Sequence, residues 1–345
     1  MIPRWAVLQL ALLLMPLCFG TAAGAEQAPS SRLQFGDLAV IVNDSDPLSF
    51  ATGEYYRARR HIPPQNMVHV RFDGGHPSLS AADFLRLKAQ VDALTPSSAQ
   101  GFALTWMRPY RVECMSITTA FAAGFDPAFC STGCTATRRS PYFDSNSHRP
   151  FDDLGIRPTM SLAAADLDGA RALIDRGVAA DGRMPDGTAY LAVTTDGARN
   201  VRAAGYADAE LVAGKRLRIK ILPMQQVVGR PDVMFYFVGA KEVPDLASNR
   251  FLPGAVGDHL TSFGGVLDGR GQMSALRWLE AGATGSFGTV TEPCNILGKF
   301  PNVAMMMNRY LGGETLLEAY WKSVDMPGQG LFVGEPLSRP YGRWR

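Results

Sequence analysis

The short motifs that announce a reaction are missing from this sequence. It has no HExxH zinc helix, no Walker phosphate loop, no GxGxxG turn and no GxSxG nucleophile elbow. Any site must therefore be assembled from residues far apart in the chain, and no cofactor is expected. Charge of one sign is lacking too. The formal net charge is +2, and no basic run exceeds the pairs Arg59-Arg60 and Arg138-Arg139, which excludes an electrostatic case for nucleic acid. Beyond the N-terminus no apolar run approaches membrane-spanning length, so no membrane partner is expected for the mature chain.

The N-terminus itself reads as a leader. Arg4 precedes an almost wholly apolar stretch from Ala6 to Leu17, and Ala23-Gly24-Ala25 supplies the small residues that signal peptidase requires. A secretory signal peptide over residues 1–25 is expected, cut after Ala25 and followed by a flexible lead-in at 26–34. The rival reading, an uncleaved anchor, has an apolar core too short to span comfortably. The mature protein is then secreted or periplasmic. Its cysteines are Cys114, Cys130, Cys134 and Cys294. In an oxidising compartment an even number invites disulfides, in any of three pairings. Free thiols are a second reading. A metal site is a third, although no further Cys or His pair stands at zinc-ribbon or zinc-finger spacing, so no metal is expected.

A chain of 345 residues, 46% hydrophobic, can bury a large core, and one α/β domain over 35–345 is expected. Leu38-Ala39-Val40-Ile41-Val42 has the continuous apolar character of a buried parallel strand. Ser45 or Asp46 then caps a helix that starts with Pro47 and runs to about Arg60, and Met67–Val70 forms the next strand. This opening βαβ unit implies a mostly parallel sheet flanked by helices, a three-layer sandwich. Further strands are expected at 101–106, 189–195 and 215–222, and at 233–239, the most hydrophobic and hence a central one. Helices are expected at 80–93, 166–176, 303–310 and 315–324. Between these, at about 108–158, periodicity fails, and a loop-rich, cysteine-containing insertion is expected. No internal repeat is visible.

The most constrained stretch is Gly254 to Cys294. It reads as a strand ending in Ser262-Phe263-Gly264-Gly265, a helix over Ser274–Ala281, a Gly282 stop and a second strand ending at Glu292-Pro293-Cys294. Sites in parallel sheets lie beyond the carboxyl ends of strands, which singles out Ser262, His259, Glu292 and Cys294, with Asp196 after the 189–195 strand. Ser262 or Cys294 would be the nucleophile, His259 its base, and the glycine-rich turn an oxyanion-holding set of amides. Period-two geometry raises an objection: it places His259 and Ser262 on opposite faces of their strand.

Several pieces of this chain resemble an uncharacterised family of exported bacterial proteins. They include Val40-Ile41-Val42-Asn43 with Asp46-Pro47, Arg60-His61-Ile62-Pro63, Cys130 to Cys134, Ser140-Pro141-Tyr142-Phe143, Asp196 to Arg202, Phe263-Gly264-Gly265 and Glu292-Pro293-Cys294. That resemblance carries no function with it. The order of central strands and small-residue turns is also distantly similar to the caspase- and gingipain-like cysteine peptidases. It implies a catalytic His near Gly239-Ala240-Lys241, where none stands, and a catalytic Cys where this chain has Ser262. Two functions follow as expectations: a peptidase-like hydrolase with a non-standard site at Ser262, His259, Asp196, Glu292 and Cys294, or a catalytically silent envelope protein that binds a peptide, glycan or protein partner at the same edge.

Overall fold

The computed structural model describes Met1 and residues 32–269 and 271–343. Apart from Met1, the expected leader and the lead-in up to residue 31 lie outside the described residues.

The opening folds as its chemistry dictates. Strand β1 (Leu38–Asn43) is buried throughout, and helix α1 (Pro47–Arg60) starts on Pro47 with the Asp46 carboxylate accepting from the Leu48 amide. Strand β2 (Met67–Val70) follows, then β3 (Ser78–Leu79) and helix α2 (Ala81–Leu94), capped by Ser80 and buried through Phe84, Leu87 and Val91. Next come β4 (Gly101–Leu104), the short hairpin β5 (Arg111–Val112) and β6 (Met115–Ser116), helices α3 (Ile117–Ala123) and α4 (Pro150–Leu154), and β7 (Thr159–Ser161). Helix α5 (Leu167–Ala180) leads to β8 (Thr188–Val193), α6 (Tyr206–Ala213), β9 (Arg218–Pro223), β10 (Val233–Gly239) and β11 (Phe251–Leu260). Helix α7 (Leu276–Glu280), β12 (Gly285–Thr289), α8 (Val303–Leu311), α9 (Leu316–Ser323) and β13 (Gly330–Gly334) complete the fold. It is the expected α/β arrangement, a large mostly parallel sheet flanked by helices.

Ten of these strands form one sheet in the order β2-β1-β4-β7-β13-β12-β11-β10-β8-β9. Every neighbouring pair is parallel except β12 and β13, which run antiparallel from Gly285 opposite Gly334 to Thr289 opposite Gly330. The sheet thus consists of two five-stranded parallel halves. Numbered along the chain within each half, both have the order second-first-third-fourth-fifth, and their fifth strands meet. This is a repeat of topology that leaves no trace in the sequence pattern. β10 is central only within its own half, while β9 is the exposed-faced edge that its alternating basic and apolar residues predict. The carboxyl ends of the two halves point in opposite directions, so the fold has two candidate edges.

Glycine pairing explains why the second half tolerates so few alternatives. A Cβ on Gly288 of β12 would lie 2.2 Å from the Gly264 carbonyl carbon, and one on Gly257 of β11 would lie 2.3 Å from the Trp278 ring. Only hydrogen fits at either position.

The expected irregular insertion contains β5, β6, α3 and α4. With β3 the hairpin makes a second, three-stranded sheet, and the segment reaches across to the loops after β11 and β12. Arg108 pairs with Asp268 at 3.2 Å, and Thr291 Oγ1 donates to the Cys114 carbonyl. Two disulfides, Cys114–Cys130 and Cys134–Cys294, staple it there, which fits folding in an oxidising, non-cytoplasmic compartment. They also decide among the readings of the cysteines: all four sulfurs are consumed in bridges. No helix among the described residues is long and apolar enough to cross a membrane.

The tail is anchored by charge as well as by packing. Glu335, fully buried just after β13, accepts from Tyr56 Oη at 2.7 Å and from Arg60 Nε at 3.0 Å, and Arg60 also pairs with Asp181. One buried carboxylate thereby joins the end of α1, the end of α5 and the C-terminal segment.

Candidate functional site

The carboxyl edge of the second half gathers the loops after β8, β10, β11 and β12, and all five sequence-derived candidates fall on or next to it. Their side chains do not form one catalytic set. Strand alternation sends Asp258 to one face and His259 to the other. Asp258 pairs with Arg202 Nη2 at 2.5 Å, and that guanidinium lies 5.1 Å from the centre of the Phe237 ring. Burial raises the Asp258 carboxyl, and Arg202 opposes the rise.

His259 is buried on the opposite face, where both ring nitrogens are engaged. Trp278 Nε1 donates to Nδ1 at 2.9 Å, so Nε2 carries the proton and donates to the Met273 carbonyl at 2.9 Å. Indole is a donor only, which leaves no other tautomer. Burial pushes the imidazole down to about 4. The expected general base is therefore a neutral structural histidine with no free lone pair. Cys294 is equally removed from nucleophilic chemistry by its bond to Cys134. Both expectations fail for one physical reason: tertiary partners already use the atoms that chemistry would need.

Ser262 stands half-buried in the turn after β11, and among the described residues its hydroxyl makes no hydrogen bond. Only its carbonyl is held, by Thr289 Oγ1 at 2.8 Å. Asp196 lies in the same region but faces Arg199, at 2.8 Å. Burial raises the Asp196 carboxyl, yet hydrogen bonds from Arg199 outweigh this and hold it below its usual value. Arg199 Nε in turn donates to Thr261 Oγ1 at 3.1 Å, Thr261 Oγ1 donates to Gln272 Oε1 at 2.8 Å, and the Phe263 amide donates to the same oxygen. Gln272, which sequence reasoning missed, thus fixes the Ser262 turn from outside. Glu292 is exposed and accepts from the Cys294 amide at 2.8 Å. Asp196 and Ser262 are brought together indirectly, through Arg199 and Thr261, while Glu292 belongs to a separate turn.

Two concavities lie at strand carboxyl ends. Beside the second-half turns is a cleft of about 530 Å³, with Val243, Leu246, Leu267 and Leu276 in its lining beside Glu242, Asp268 and the Arg277–Glu280 ion pair. The crevice between β8 and β10, where strand order reverses, is closed: the Arg199 and Asn200 backbone packs onto Gly239. Its first-half counterpart, beyond β1 and β4, stays open as a cavity of about 380 Å³ bordered by Ser45, Asp46, Gly74 and Arg108. Among the described residues no group of three or more His, Cys, Asp or Glu side chains is placed to hold a metal ion.

No family model matches this chain, and neither a curated protein nor a solved structure matches it.

Proposed function

We propose that the protein is a secreted or periplasmic binding protein, catalytically silent at Ser262, His259, Asp196, Glu292 and Cys294, whose ligand is a peptide segment seated in the cleft beside the β10 and β11 carboxyl ends. The resemblance to exported proteins with a caspase-like core belongs to the same proposal. One observation carries it: the imidazole meant to activate Ser262 spends both nitrogens on Trp278 and Met273. A serine without a base is a weak nucleophile. The apolar lining beside Glu242 suits a peptide that presents an aliphatic side chain next to a basic one, Glu280 and Asp268 being already paired with Arg277 and Arg108.

Thermal-shift titration of the mature protein against peptide and glycan libraries tests this. Basic-apolar peptides are expected to raise the midpoint, and Glu280→Trp, which fills the cleft from an exposed position, is expected to abolish the shift. Stabilisation by glycans alone, or a shift unchanged in Glu280→Trp, would overturn the reading. Covalent labelling of folded protein at Ser262 would restore the hydrolase reading in its place.

A further inference from the structure

Lys299 is fully buried at the end of a short turn after β12, yet among the described residues no carboxylate lies within 4.0 Å of its ammonium group. Among the described residues the ammonium group makes one hydrogen bond, to Ser131 Oγ at 3.0 Å. Burying a lysine without an ion partner is costly, and burial shifts the amine toward its neutral form. Desolvation lowers the Lys299 pKa, opposed only by the exposed Glu292.

Ser131 sits in the turn Cys130-Ser131-Thr132-Gly133-Cys134, which is pinned on both sides by disulfides, to Cys114 before it and to Cys294 after it. Its hydroxyl is half-exposed and donates locally to the Gly133 carbonyl at 2.6 Å. The residues from Thr132 to Thr135 face solvent, and the backbone amides from Ser131 to Thr135 donate to no acceptor among the described residues. A hydroxyl at the surface, an amine beneath it shielded from water, and a turn with unused amide donors are the parts that acyl transfer requires.

We propose that Ser131 and Lys299 form a serine–lysine dyad that hydrolyses ester or amide bonds presented at the protein surface. Neutral Lys299 takes the Ser131 hydroxyl proton as Oγ bonds to the acyl carbon, and the carbonyl electron pair moves onto oxygen, where turn amides receive it. Collapse of this intermediate expels the alcohol or amine, which takes the proton back from Lys299 and leaves an acyl-serine. Water then gives a proton to Lys299 as its oxygen bonds to the acyl carbon. Ser131 departs with that proton, so one water is consumed and an acid and an alcohol or amine are released. This activity is independent of the peptide cleft and of its occupant.

The test uses mature protein with both disulfides intact, a fluorophosphonate probe and p-nitrophenyl acetate. Labelling is expected at Ser131, rising with pH as Lys299 loses its proton, and ester turnover is expected to fall at least about 100-fold in Ser131→Ala and in Lys299→Met. Lys299→Met replaces a buried cation by an apolar side chain of similar shape, so its unfolding midpoint is expected to hold or rise while labelling is lost. Folded wild-type protein that stays unlabelled at Ser131 up to pH 9, or a Lys299→Met variant that labels as fast as wild type, would overturn the dyad.

Discussion

The Trp278 indole donates its N–H to His259 Nδ1 at 2.9 Å, and its ring covers the face of β11 that Gly257 leaves open. Because this bond needs an unprotonated Nδ1, while the one to Met273 survives protonation, the site has a defined pH dependence. The folded pKa of about 4 lies below the ordinary 6.5, so the unfolded chain binds the extra proton first. Stability is complete above pH 6.5 and declines as pH falls toward 4, by about 3 kcal/mol in all. Urea unfolding at pH 7 and pH 4.5 should show the loss, and His259→Gln should remove most of it. An equal acid loss in that variant would assign the effect elsewhere.

Asp258 and Arg202 make a different kind of buried pair, an acid and a guanidinium that are both inaccessible. Removing one partner, as in Arg202→Met, is expected to destabilise by about 3–5 kcal/mol because an unpartnered acid stays in the core. Adding Asp258→Leu should recover much of this. Denaturant midpoints for the two single variants and the double variant measure the coupling, and strictly additive losses would contradict it.

Gly288→Ala is expected to unfold the second half or shift the Gly264-Gly265 turn, since its methyl would collide with backbone atoms that cannot swing aside. A loss of more than about 3 kcal/mol is anticipated, well above an ordinary surface substitution. Gly197→Ala, which meets nothing within 4 Å, is the control, and comparable losses in the two would refute the packing argument.

The two disulfides should differ in weight. Cys134–Cys294 closes a separation of 160 residues and Cys114–Cys130 one of only 16. Loop entropy then assigns about 5 kcal/mol to the first and about 3 kcal/mol to the second. Paired Cys→Ser variants compared by thermal unfolding should preserve that order. A larger loss from the short loop would point to native contacts, not chain entropy, as the main effect.

Much of the local structure was legible because it depends on neighbours in sequence. Asp46 with Pro47 determines where α1 begins, and Ser80 and Asp166 do the same for α2 and α5. Alternation along β11 puts Asp258 and His259 on opposite faces, where they meet Arg202 and Trp278 respectively. The candidate site was legible only as a location. That His259 is neutralised depends on Trp278, and that Cys294 is bridged depends on a cysteine 160 residues away. Ser131 escaped notice because the partner that gives it meaning, Lys299, is 168 residues further along, and no local pattern marks the pair.

By itself the sequence determined the α/β class, the starts of the capped helices α1, α2 and α5, and the edge on which small residues and polar turns collect. These follow from side-chain periodicity and capping, which act over a few residues. Only the tertiary structure decided that β13 inserts beside β12 and divides the sheet into two halves of equal topology. It alone decided which cysteines pair and which polar atoms are already spent. Those outcomes rest on contacts between distant segments, where burial and hydrogen-bond satisfaction are settled by what the whole chain brings together.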